Sequence, residues 1–112
     1  MKLSDVKDIL NAEFLCGEDK ADTEIKAAFG CDLMSDVLAF VEDQALLLTG
    51  LINSQVVRTA EMMDMKAIVF VRGKTPSDEM LELAKDAGIA ILSTELTLYI
   101  SSGKLYSSGL YN

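Results

Sequence analysis

From residue 30 onward, the hydrophobic and polar positions of the chain alternate between two rhythms. Met34, Val37, Leu38 and Val41 recur at i, i+3, i+4 and i+7, which gathers apolar side chains on one face of a helix. Asp32 stands where a cap for that helix belongs. Ala45-Leu46-Leu47-Leu48 follows as a short continuous apolar run. Helical spacing returns at Ile52, Val56, Ala60 and Met63, and a second apolar run spans Ala67 to Val71. Thr75-Pro76-Ser77-Asp78 predicts a helix start, with Thr75 as cap, Pro76 in the first turn and Asp78 three residues after the cap. Met80, Leu81, Ala84 and Ala87 carry that helix, and Gly88 should end it. Ile89 to Leu92 predicts a last strand, and Thr94 to about Gly103 a last helix.

The first thirty residues are less regular. Ser4 is placed to cap a short helix through Val6, Ile9 and Leu10. Ala12 to Cys16 and Glu24 to Phe29 read as strands, the second alternating Ile25, Ala27 and Phe29 with Glu24, Lys26 and Ala28. A polar stretch, residues 17 to 23, joins them, so they pair as a hairpin or lie parallel. Continuous apolar strands alternating with amphipathic helices predict an α/β fold: a three-layer α/β/α sandwich with a mostly parallel sheet of about five strands. Residues 3 to 105 form a single domain in this reading, and the small-residue-rich tail 106–112 is expected to fray.

Composition narrows the functions. The 112 residues suffice for one domain with a full core. There is no histidine, which removes His general bases, His metal ligands and His-activated nucleophiles. A net charge of −8 argues against a nucleic-acid backbone as partner. Cys16 and Cys31 form no C-x-x-C motif and cannot close a zinc site alone. Neither a signal peptide nor a membrane span of about 20 apolar residues is apparent, so a cytoplasmic protein without membrane contact is expected. No cofactor and no catalytic set are expected.

In a parallel sheet, ligands bind beyond the carboxyl ends of the strands. Four turns fall there: Gly30-Cys31-Asp32, Thr49 to Asn53, Arg72 to Thr75, and Ser93-Thr94-Glu95. Thr49, Gly50, Asn53, Arg72, Gly73, Lys74, Ser93 and Thr94 are therefore the candidate ligand-binding residues, with Arg72 and Lys74 as the positive charge for an anion such as a nucleotide or carboxylate. Gly73-Lys74-Thr75 resembles the end of a phosphate-binding loop, but Ile68 occupies the position of its leading glycine. The acids Glu13, Glu18, Asp19, Asp22, Asp32 and Asp36 lack a partner nucleophile and read as a solvated face. Around Met62, Met63 and Met65, Met63 is assigned to the core and the other two to an exposed surface.

Asp32-Leu33-Met34-Ser35-Asp36-Val37-Leu38, Leu47-Leu48-Thr49-Gly50, Ala67 through Ser77, and Leu92-Ser93-Thr94 together resemble a stand-alone DRTGG domain. The resemblance spans roughly residues 3 to 105, although the literal string Asp-Arg-Thr-Gly-Gly is absent. Such bacterial domains also serve as regulatory modules in phosphotransacetylases and CBS-containing pyrophosphatases, and are similar in fold to the N-terminal domain of HPr kinase/phosphorylase. The resemblance implies a non-catalytic regulatory or sensing role. The functional expectation is a domain that binds a small anionic ligand and forms a homodimer through an apolar surface including Met62, Met65 and Tyr106 or Tyr111. The alternative is an interaction subunit that docks on a kinase or metabolic enzyme as partner protein and takes no small molecule.

Overall fold

The computed structural model describes residues 1–41 and 44–111. Five strands, β1 (Glu13–Cys16), β2 (Ala27–Gly30), β3 (Ala45–Thr49), β4 (Ala67–Phe70) and β5 (Ala90–Ser93), form one sheet in the order β1-β5-β4-β3-β2. β2, β3, β4 and β5 run parallel, and β1 pairs antiparallel with β5. The helices are α1 (Leu3–Ile9), α2 (Met34–Phe40), α3 (Ser54–Met62), α4 (Asp78–Ala87) and α5 (Leu98–Ser107).

The two continuous apolar runs become the central strands because both of their faces are covered. Ala45, Leu47, Ile68, Phe70 and Ile91 pack with Met34 and Val37 of α2, Val56, Val57 and Ala60 of α3, and Met80 and Ala84 of α4. On the opposite face, Leu46, Leu48, Val69 and Leu92 pack with Leu3, Val6 and Leu10 from the α1 region and Leu105 of α5. This is the three-layer α/β/α sandwich expected from the strand and helix rhythm. Gly88 ends α4 with φ +72°, as its position predicted.

Several local expectations are corrected. The first two strands are not neighbours: β1 and β2 are the opposite edges of the sheet. Residues 23 to 25 instead run beside α1, where Leu3 N–H donates to the Thr23 carbonyl at 3.0 Å and Ile25 N–H to the Met1 carbonyl at 2.7 Å. Ile25 is thereby buried under α1, so part of the alternation read as strand is packing outside the sheet. Ser4 lies inside α1, and the Asp5 carboxylate accepts from the Lys2 N–H at 3.0 Å at its start. Ser77, not Thr75, caps α4, its hydroxyl accepting from Met80 N–H at 3.2 Å. Leu33, not Asp32, precedes α2.

α5 starts later than expected, at Leu98, where the Thr97 hydroxyl accepts from Ile100 N–H at 3.2 Å. The segment expected to fray is held: Leu110 is buried, and the Tyr111 carbonyl accepts from Ala28 N–H of edge strand β2 at 2.9 Å. Asn112, the last residue of that segment, lies outside the described residues. Met65 is buried, and Met62 is on the α2–α4 side of the sheet while Tyr106 is on the α5 side. One surface therefore cannot combine Met62, Met65 and the tyrosines.

Candidate functional site

The parallel strands β2, β3, β4 and β5 end on one rim, and the turns that follow them carry the candidate residues. After β4 the chain makes a turn with two consecutive left-handed residues, Arg72 (φ +57°) and Gly73 (φ +67°). Three hydrogen bonds hold it. Arg72 N–H donates to the Leu96 carbonyl at 2.8 Å, Gly73 N–H to the Thr94 carbonyl at 2.8 Å, and Lys74 N–H to the Val71 carbonyl at 3.2 Å. The Ser93 hydroxyl donates to the Lys74 carbonyl at 3.2 Å. The β4–α4 and β5–α5 turns are thus fastened to each other.

A second fastening joins the neighbouring turns. The Asp32 Oδ1 accepts from the Thr49 hydroxyl and from Gly50 N–H, both at 2.8 Å, and the Thr49 Oγ1 accepts from Leu51 N–H at 3.1 Å. The guanidinium of Arg72 reaches from the β4–α4 turn toward Gly50 of the β3–α3 turn. A Cβ added at Gly50 would come within 3.0 Å of its Nη2, so glycine is what lets the guanidinium lie against the β3–α3 turn. On the other side, a Cβ added at Gly73 would come within 2.6 Å of Glu95 Oε2. Among the described residues, no carboxylate stands within the 4.0 Å ion-pair limit of Arg72 or Lys74. Both cations are exposed.

The eight predicted residues divide in two. Gly50, Asn53, Arg72, Gly73, Lys74 and Ser93 reach the rim surface, with Asn53 exposed at the start of α3 and its side chain making no cap bond. Thr49 and Thr94 are buried and committed to the protein itself. The Thr94 hydroxyl donates to the Leu10 carbonyl at 2.7 Å on the α1 side, and its oxygen accepts from Leu96 N–H at 3.2 Å. Asp32 and Glu95 are the rim residues that the candidate set leaves out. Both lie in turns after parallel strands, which was the signal available, but an acid in such a turn is indistinguishable from an ordinary cap until its partners are seen.

Among the described residues, no three His, Cys, Asp or Glu side chains come together as a metal site. The Cys31 sulfur, in the turn after β2, accepts from Leu33 N–H at 3.2 Å. Two hydrogen-bonded pairs of turns flank the Arg72 guanidinium, which has no salt-bridge partner among the described residues. No helix of the described residues is long and apolar enough to cross a membrane.

Among solved structures, the chain is similar to the CBS and DRTGG domains of the regulatory region of Clostridium perfringens pyrophosphatase, a structure complexed with the activator diadenosine tetraphosphate. The TM-score is 0.77 at 20% sequence identity, so the likeness is one of fold. It covers 96% of this chain and 46% of that one, and this chain thus spans less than half of that region. No curated protein matches the chain. The family model for the DRTGG domain matches residues 5–106, nearly the full length, with the five-stranded sheet and all but the last residue of its final helix inside the match. The chain belongs to the DRTGG domain family.

Proposed function

We propose that the chain is a non-catalytic regulatory domain that binds a small anionic ligand at the Arg72 rim and self-associates. The observation that carries the reading is the Arg72 guanidinium, laid against Gly50 by a doubly left-handed turn and free of any carboxylate within 4.0 Å among the described residues. A left-handed arginine is a conformation that a non-glycine residue adopts at a cost, and here three backbone hydrogen bonds hold it. The result is a planar, two-pronged donor aimed at the rim, suited to a phosphate or carboxylate. Lys74 adds a second charge two residues further on. In a chain of net charge −8, this pair brings positive charge to a rim that also carries the Asp32 and Glu95 carboxylates, of which Asp32 is already taken up by Thr49 and Gly50. The polyanionic nucleotide bound by the regulatory region of similar fold agrees in kind with such a ligand.

Calorimetric titration of the chain with diadenosine tetraphosphate, ATP and small dicarboxylates at low salt tests the reading. Binding by wild type is expected to weaken about tenfold or more in Arg72→Ala, the loss of a bidentate charged contact. Equal affinity of the two proteins would place the ligand elsewhere. A docking subunit without small-molecule ligand is the second reading, favoured by the exposed Leu38, Phe40 and Met62 on the α2–α3 side. For that reading, none of these compounds raises the melting temperature, whereas a ligand at about 100 times its Kd would stabilise by roughly 2.7 kcal/mol.

A further inference from the structure

α5 keeps its apolar side chains on two faces. Leu105 is buried against the sheet, while Tyr99 (86% exposed), Ile100 (45%) and Tyr106 (63%) stand outward in water. Tyr99, Gly103 and Tyr106 follow the i, i+4, i+7 spacing of a single stripe, with Ile100 beside it. They border an open concavity of about 850 Å³, which reaches Ile9 at the end of α1. Tyr106 also lines a second hollow of about 210 Å³ and so forms the ridge between the two. That ridge is braced: Tyr111 packs edge-on against Tyr106 with ring centroids 4.7 Å apart and planes at 61°.

Gly103 is the notch beside this ridge. Its φ is not left-handed, and a Cβ added there would meet nothing within 4 Å. Neither the backbone nor the packing of this chain requires glycine at that point, although glycine weakens a helix relative to alanine. A helix interior with an unneeded glycine flanked by exposed aromatics fits close approach by something outside the chain.

Building on the self-association in the reading above, we infer that this face is where two copies of the chain meet, α5 crossing α5 in opposite directions about a two-fold axis at Gly103. Charge favours a second copy as the occupant. The protein carries eight excess negative charges, yet the residues around the larger concavity include one charged side chain, Lys104, and those around the smaller include none. Two copies can therefore join at the centre of this face without burying a carboxylate, the nearest acids, Asp5 and Asp8, lining a neighbouring hollow beyond Ile9 and Ser108, and the flexible Lys104 stem can carry its ammonium out to water. Shape favours the same occupant. With opposed helices crossing at the glycine, position 103 plus three faces position 103 minus three. Tyr106 of each copy then lands on Tyr99 and Ile100 of the other, a self-complementary contact of the kind a two-fold dimer requires.

Light scattering on the full chain across about 5 to 500 μM, with sedimentation equilibrium, tests the inference. Wild type is expected at twice the 12.2 kDa chain mass. Gly103→Glu and Tyr106→Ala should each raise the dimer dissociation constant at least 100-fold. Gly103→Glu should also melt cooperatively, because no neighbour within 4 Å opposes the new side chain. Gly103→Ala, which adds helix propensity, should melt no lower than wild type under conditions where the chain is monomeric. Met62→Glu, on the opposite side of the sheet, should leave the dimer intact. A dimer that survives Gly103→Glu but not Met62→Glu overturns this face and leaves self-association standing. A wild-type chain that stays at 12.2 kDa throughout overturns both.

Discussion

Asp32 and Thr49 are joined side chain to side chain, the Thr49 hydroxyl donating to Asp32 Oδ1 at 2.8 Å and thereby tying the turn after β2 to the turn after β3. The same oxygen takes the Gly50 N–H, so one carboxylate holds both the buried hydroxyl and the backbone on which Arg72 rests. Loss of the acceptor leaves the buried Thr49 hydroxyl unsatisfied, a cost of about 1–2 kcal/mol. Asp32→Ala is accordingly expected to lower the urea midpoint by that equivalent. Asp32→Asn retains an acceptor oxygen and should recover most of the loss. Equal midpoints for Asp32→Ala and wild type would show that the clasp contributes nothing to stability.

Val69 tests the depth of the central strand. It is fully buried in β4, paired in register with Leu48 on one side and Leu92 on the other, on the face covered by α1 and α5. Val69→Asp puts a carboxylate among apolar neighbours with no partner, at a cost of several kcal/mol. That is most of the stability of a typical domain of this size. The variant is expected to be unfolded or aggregated by circular dichroism and gel filtration, and a normal melting curve would refute the assignment.

Cys16 supplies a pH dependence. Burial pushes its thiol up from the ordinary cysteine range, because the thiolate would lose its water. A group whose pKa is higher in the folded state contributes its stability below the unfolded value and loses it as pH rises through the folded one. With the unfolded thiol near roughly 8.5, stability should be level through neutral pH and fall as the pH climbs beyond about 9. Cys16→Ala should remove that part of the alkaline loss in urea titrations at pH 7 and pH 10. In the folded protein, thiol reagents should modify the half-exposed Cys31 well before the buried Cys16.

Much of this architecture was legible in the chain. Ala45 to Leu48 and Ala67 to Val71 are apolar at every position and too short for a buried helix, as a strand covered on both faces would be, and they became the central strands Ala45–Thr49 and Ala67–Phe70. Gly88 at the end of α4 was equally readable, since a left-handed helix terminus is a demand made by the local backbone alone. The position of Arg72, Gly73 and Lys74 on one rim with Gly50 followed from the rule that parallel strands end on the same side.

Tertiary structure decided what depends on distant partners. Nothing near residues 13–16 distinguishes pairing with β2, eleven residues or so ahead, from antiparallel pairing with β5 at the far end of the chain. The alternation at residues 24–29 mixes Ile25, buried beneath α1, with the true edge strand, because burial against a helix and burial in a sheet write the same pattern. Asp32 and Thr94 show the same limit among polar residues. A carboxylate beside a helix start reads as its cap, yet Asp32 spends its oxygen on Thr49, seventeen residues away. Thr94 reads as a rim hydroxyl, yet it turns inward to the Leu10 carbonyl. Periodicity and turn chemistry act over a few residues and can be read in order. The partner of a hydrogen-bonding side chain or an edge strand is chosen by which segments the packed layers bring together, and that choice is made only when the chain has folded.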